Sequence, residues 1–224
     1  MDYYCITRHD AAYPASLSAL MGPDAPSALA IAGPERDGAE QSLALFCSKL
    51  CPGSMILQAY DFVQRLRLHH VTLLSGFHAP MEKECLRTIM GGSAGVVWCL
   101  AKSLASFTLP GEFQKLFNDG RLTLISPFPE NVKRITAETA RYRNLVAAVM
   151  ADEIFIPFAA PKSSTEAFCN TLLSMDKLVL TLDAPENTSI LERGAQPITA
   201  KDIDSLWARI ISQPAEGDLP ELQV

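Results

Sequence analysis

Most of the signatures that would assign this sequence quickly are missing. It has no G-x-G-x-x-G and no G-x-x-x-x-G-K-[ST], so the dinucleotide fingerprint and the P-loop are both absent. No Ser-His-Asp order marks a hydrolase, and the one G-x-S-x-G match, Gly91 to Gly95, precedes a strand and so is no nucleophile elbow. No two cysteines stand as C-x-x-C. The six thiols are scattered through apolar segments, with Cys47 and Cys51 four apart. That usage excludes a disulfide framework and reads as reduced core cysteines of a cytoplasmic protein. No apolar run reaches the ~18 residues of a membrane span. The start "MDYYCITRHD" has neither the basic nor the apolar region of a signal peptide. Positive charge is also short: 19 Lys and Arg stand against 25 Asp and Glu, a net −6. Such a balance excludes a protein that coats duplex DNA by charge alone, yet leaves room for a local basic pocket.

What is present is a core-former. The chain has 224 residues, 48% of them hydrophobic, with slightly positive mean hydropathy. Residues 1–35 read as a lead-in packed on the core, with a Pro-started helix over 13–21 and a strand over 27–33. A polar connector follows over 34–41. Short apolar runs then alternate with amphipathic ones. Strands are predicted at 43–47, 71–75, 94–101, 121–126, 153–158, 177–182 and 195–199. Helices are predicted at 55–68, 81–90, 111–120, 136–151 and 163–175, with a last one over 200–212. Thr136 and Ser163 are expected N-caps, Ser163 in a capping box with Glu166. The strands are apolar without period-2 alternation, which implies a mostly parallel sheet covered on both faces. The expected fold is therefore a three-layer, Rossmann-like α/β domain over 36–212, and the acidic, Pro-containing 213–224 is expected to be disordered.

In such a sheet ligands sit at the carboxyl ends of the strands. Four loops meet there: Cys47-Ser48-Lys49, Ser75-Gly76-Phe77-His78, Ser126-Pro127-Phe128, and residues 159–165 with Ser163, Ser164 and Thr165. Hydroxyls, cations and free helix N-termini bind anions without doing chemistry on them. Lys102 joins them from the loop after the 94–101 strand. The 136–151 helix adds Arg141 and Asn144 on one face and Arg143 on another. Glu82 and Glu84 complement the dipole of their helix's first turn, and His78 is a ligand-contact candidate. His69 and His70 end a helix with no third metal ligand nearby. "MGGSAG" (90–95) precedes a strand rather than following one, so it is a helix stop and turn. No residue is assigned to catalysis and none to a metal.

These motifs, in this order, resemble the DprA/Smf family of DNA-processing proteins, within the wider SMF/DprA–LOG group of Rossmann-like domains. The similarity rests on Tyr13-Pro14, Cys47-Ser48-Lys49, Ser75-Gly76-Phe77-His78 with Pro80-Met81-Glu82, Ser126-Pro127, Arg143-Asn144-Leu145, Ser163-Ser164-Thr165 and Gly194-Ala195. The chain departs from the family pattern in two places. Cys47 stands where the family has Gly, and Leu145 where it has a second Arg. The family's winged-helix tail is expected to be absent. The resemblance implies single-stranded DNA as partner, a recombinase to receive it, a homodimer, and no cofactor or membrane.

Three functions are consistent with these residues. In the first, Ser48, Lys49, Ser75, Gly76, Lys102, Arg143, Asn144 and Ser164 hold the backbone of single-stranded DNA, with Phe77 and Phe128 stacking bases. In the second, the same cleft closes on a nucleotide or nucleotide derivative as a sensor. In the third, Glu82 or His78 serves as acid–base in a nucleotide hydrolase. The 75–80 loop is expected to hold a phosphate of a nucleic acid or nucleotide through its backbone amides and Ser75, with no catalytic duty.

Overall fold

The computed structural model describes residues 1–34 and 41–202. Most of the predicted connector, nearly all of the predicted last helix and the whole acidic tail lie outside the described residues.

The chain begins with β1 (Tyr4–Thr7), α1 (Ala15–Met21) and β2 (Ala28–Ala32). It continues through β3 (Ser42–Leu45), α2 (Gly53–Leu66), β4 (Thr72–Ser75), α3 (Pro80–Met90), β5 (Gly95–Cys99), α4 (Gln114–Asn118) and β6 (Leu122–Ser126). Then come α5 (Ala137–Met150), β7 (Glu153–Phe155), α6 (Ser164–Ser174), β8 (Val179–Leu182), α7 (Thr188–Leu191) and β9 (Gln196–Ile198). All the strands join one sheet in the order β1-β2-β6-β5-β4-β3-β7-β8-β9. From β6 to β9 the pairings are parallel; β2 joins β6, and β1 joins β2, antiparallel. The fold is the expected Rossmann-like α/β class.

The apparent lack of alternation in the strands is two alternations superimposed. Leu43, Leu45, Leu73, Val96 and Leu124 face one core with α2 and α3. Their neighbours Ala44, Phe46, Leu74, Val97 and Ile125 face a second core with α1 and α5. Successive side chains point to opposite faces, so a strand covered on both sides must be apolar at every position.

The structure corrects three expectations. The lead-in contains a strand, β1, where none was predicted; only Ile6 of its four residues is buried. It also extends the parallel sheet by an antiparallel edge. The helix expected over 111–120 is a 3-10 turn (Gly111–Phe113) followed by the five-residue α4. The capping box at α6 is half formed. Ser163 Oγ accepts the Glu166 amide at 3.2 Å, but the Glu166 carboxylate turns away to the Lys162 amide at 2.6 Å and the Ser189 hydroxyl. Thr136 caps α5 as expected, its Oγ1 accepting the Thr139 amide at 3.1 Å.

β3 is flanked by β4 on one side and β7 on the other. From β3 the chain winds one way through β4, β5 and β6, and from β7 the other way through β8 and β9. The loops leaving β3 and β7 therefore diverge, and this switch point is where a doubly wound sheet opens a crevice.

Candidate nucleic-acid interface

The loop after β4 is the most constrained part of the site. Ser75 is fully buried, and its hydroxyl donates to Leu45 O at 2.7 Å while accepting the Phe77 amide at 3.2 Å. That bridge turns the chain sharply and leaves Phe77 at φ +48°, a conformation costly for a bulky side chain. Packing offsets the cost. The Phe77 ring is buried edge-on to Trp98, with centroids 5.7 Å apart. Phe77 is thus core and offers no face to a base.

The amides of this loop are occupied from within. Glu82 accepts the His78 amide at 2.8 Å and the Ala79 amide at 3.2 Å, and reaches across to the Cys47 amide at 3.2 Å. An internal carboxylate thus sits where a phosphate was expected. Burial pushes the Glu82 pKa up, against the opposing pull of those three amides and of Arg143. With both oxygens committed, Glu82 is a structural anion.

Arg143 approaches the same loop from α5. It is buried, donating from Nη1 to Cys99 O at 2.8 Å and from Nε to Asn144 Oδ1 at 2.8 Å. Its guanidinium lies so close to Gly76 that an added Cβ would stand 1.7 Å from Nη1. Gly76 is needed because a cation occupies the volume of its missing side chain. Arg143 and Asn144 support each other and the loop instead of projecting into solvent.

The remaining loops repeat the theme. Ser126 Oγ donates to Lys102 O at 2.8 Å and accepts the Phe128 amide at 3.2 Å, the same device as Ser75 at another strand end. Lys102 Nζ is tied to Ser106 O at 2.7 Å. Ser48 joins the two sides of the switch point. Its amide donates to Phe158 O at 3.1 Å, and its hydroxyl accepts the Ala160 amide at 2.9 Å and stands 3.4 Å from Ser163 Oγ. Ser48, Ser75, Gly76, Phe77, Lys102, Ser126, Arg143, Asn144 and Ser163 therefore build the scaffold. Lys49, His78, Arg141 and Ser164 are exposed, and Thr165 is half-buried.

Between α5 and α6, above the end of β3, lies a cavity of about 640 Å³. Its walls include Arg141, Tyr142, Ser164, Thr165 and Phe168, with Phe46, Cys47 and Glu82 also lining it. Neither the Ser164 nor the Thr165 amide finds an acceptor among the described residues, so α6 presents bare N–H donors here. Tyr142, Phe168 and Glu138 were not anticipated. The signal was available as two helical stripes: Glu138-Arg141-Tyr142-Leu145 on α5, and Ser164-Thr165-Phe168-Thr171 on α6.

Cations and carboxylates both gather at this end of the sheet, Arg141 beside Glu82 and Glu138 in the cavity wall. Partial burial lowers the His78 pKa, and the nearby charges of Arg143, Lys49 and Lys83 lower it further. Three cations thus act on one imidazole at the carboxyl ends of β3 and β4.

The family model for DNA recombination-mediator protein A matches residues 4–209. The chain belongs to that family. Its fold agrees with DNA processing protein A (DprA) from Streptococcus pneumoniae at a TM-score of 0.75 and 14% identity, covering 92% of this chain and 74% of that one. DprA from Helicobacter pylori, described for its single-stranded DNA binding mode, matches at 0.72 and 14%, covering 94% and 97%. A molybdenum cofactor binding protein from Rippkaea orientalis shares the fold more loosely, at 0.54 and 12%, covering 79% and 100%. A search of curated proteins finds no match. At these identities the structural likenesses establish the Rossmann-like fold, and the family rests on the sequence model. Within this DprA-family domain no described helix is long and apolar enough to cross a membrane.

Proposed function

We propose that this DprA-family chain binds single-stranded DNA by its phosphates, along the crevice at the carboxyl ends of β3, β4 and β7. The observation that carries the reading is the cluster of Lys49, Lys83 and Arg143 around His78, beside the bare N-terminal amides of α6, in a protein of net charge −6. Cations grouped at the switch point of an acidic body offer an anionic chain a place to bind. Lys49, Arg141, Ser164 and Thr165 are the contacts. Tyr142, with its neighbour Phe128 at a ring distance of 5.7 Å, supplies an aromatic face for a base. By the same reading the protein works in the cytoplasm as a homodimer and passes the strand to a recombinase.

The test is fluorescence anisotropy with a labelled single-stranded oligonucleotide at two salt concentrations. Because Arg143 is buried, its substitution confuses folding with binding, so Lys49→Ala and Arg141→Ala are the informative variants. Each is expected to weaken binding and to reduce the salt slope by about one phosphate contact. Absence of binding by the wild type at low salt overturns the reading.

One observation favours a second reading. A cavity of about 640 Å³ lies within the size range of small-ligand sites. A mononucleotide that raises the melting temperature while the oligonucleotide fails to bind would identify the protein as a nucleotide sensor.

A further inference from the structure

Of the nine large hydrophobic side chains left exposed among the described residues, five lie on α2 or just beside it: Leu50, Ile56, Leu57, Tyr60 and Leu68. Exposed apolar groups scattered singly need no explanation, but a row of them along one helix marks an interaction surface. This row is ordered. α2 turns Met55, Ala59, Phe62, Val63 and Leu66 to the core. Leu57 and Leu68 stand on the opposite side, 68% and 70% exposed, eleven residues apart. Leu68 follows the C-cap Arg67, whose backbone stays right-handed helical. At ~3.6 residues per turn the two leucines are three turns apart, on one line along the helix and ~16 Å from each other. Between them on that side stand Asp61 and Arg65, both exposed. Neither side chain has an ion-pair or hydrogen-bond partner among the described residues.

We propose that this face of α2 docks on the same face of a second copy of the chain, the two helices antiparallel about a two-fold axis. A two-fold contact must be self-complementary: where one residue meets a second, the second also meets the first. The row on α2 meets that condition in one register. Leu57 of each copy packs on Leu68 of the other, which covers both exposed leucines at once. The same register sets Asp61 of each copy against Arg65 of the other, giving two ion pairs across the contact. A register with Asp61 against Asp61, or a parallel pair of helices, opposes like charges instead. Tyr60 lies at the side of the row, where Gln64 Nε2 donates to its hydroxyl, and adds an aromatic edge to the contact.

The inference rests on the homodimer in the reading above and assigns the face that makes it. It also fixes where the clefts lie. α2 follows the loop after β3, beside the cleft, and leads back to the start of β4, which runs parallel to β3. Antiparallel pairing therefore sets the two clefts at opposite ends of the dimer and leaves both open.

The experiment is sedimentation velocity of the full chain over a micromolar concentration range, in reducing buffer so that the exposed Cys5 cannot link copies. The wild type is expected to dimerise reversibly, and Leu57→Arg to remain a monomer. Asp61→Arg and Arg65→Asp should each raise the dissociation constant by roughly tenfold or more, because one substitution turns two attractive pairs into two repulsive ones. Mixing those two variants should restore the dimer, since the copy with two cations then faces the copy with two carboxylates. The double variant Asp61→Arg/Arg65→Asp should restore it as well. All these side chains are exposed, so the mixing arm separates a lost contact from a lost fold. A wild-type dimer that survives Leu57→Arg and both charge reversals overturns the α2 interface and leaves the homodimer standing. Charge variants that dissociate without rescue on mixing overturn the antiparallel pairing. A wild type that stays monomeric throughout overturns the homodimer and this interface together.

Discussion

Gly76→Ala probes the contact that organises the site. At an unconstrained position, replacing Gly by Ala stabilises by roughly 0.4–1 kcal/mol, because the unfolded chain loses freedom. Here the new Cβ would stand 1.7 Å from Arg143 Nη1 and 1.8 Å from Cζ. Ordinary carbon contacts need about 3.5–4 Å, so the guanidinium must retreat by roughly 2 Å. That breaks the Nη1 bond to Cys99 O, which is 2.8 Å long, and loosens the Nε bond to Asn144. A hydrogen bond from a charged group contributes about 1.5–3 kcal/mol. With the entropic gain set against it, a net loss of about 1–3 kcal/mol is expected. For a domain of this size that lowers the melting temperature by roughly 2–12 °C. The assay is urea denaturation of Gly76→Ala, Arg143→Ala and the double variant as a thermodynamic cycle. Once Arg143 is truncated the added methyl has room, so Gly76→Ala should cost nearly nothing in that background. An equal cost in both backgrounds, or none in the wild type, would refute the close-approach argument.

Three further outcomes are expected. Glu82→Gln keeps the shape but offers one acceptor to amides that now meet two carboxylate oxygens; it should lose about 1–3 kcal/mol of stability, read by urea denaturation at neutral pH. His78 should titrate below its ordinary value of about 6.5 by NMR, in a chain with only 4 histidines, and move upward when oligonucleotide phosphates offset Arg143, Lys49 and Lys83. The sign follows from linkage: a base held neutral in the fold binds its proton more readily when unfolded, so its contribution is present above the unfolded pKa and is lost as pH falls through the folded one. Thr136→Ala removes the cap from α5 and should cost about 0.5–2 kcal/mol, with faster amide exchange in the first turn, next to Arg141.

The alternation of strands and helices, the caps at Thr136 and Ser163, and the membership of a DNA-processing family were all legible in the residues. These depend on local spacing, on capping chemistry within a few residues, and on short motifs in a set order. Covered strands announced themselves because both faces of β4, β6 and β8 had to be apolar. What each polar loop residue does was not legible. Ser75 and Ser126 look like ligand hydroxyls in sequence, yet each closes its own strand end. Glu82 looks like a dipole complement and proves to occupy the very amides expected to hold phosphate. Arg143 looks like a surface cation and lies buried over Gly76. Those assignments require knowing which loops meet across the switch point between β3 and β7, where residues from distant parts of the chain converge. A hydroxyl, carboxylate or guanidinium is free for a ligand only if no backbone partner lies within about 3 Å. The sequence by itself determined the fold class and the region of the site, because local periodicity encodes them. Only the tertiary structure decided which of those groups remain to bind anything, because that depends on partners far away in the chain.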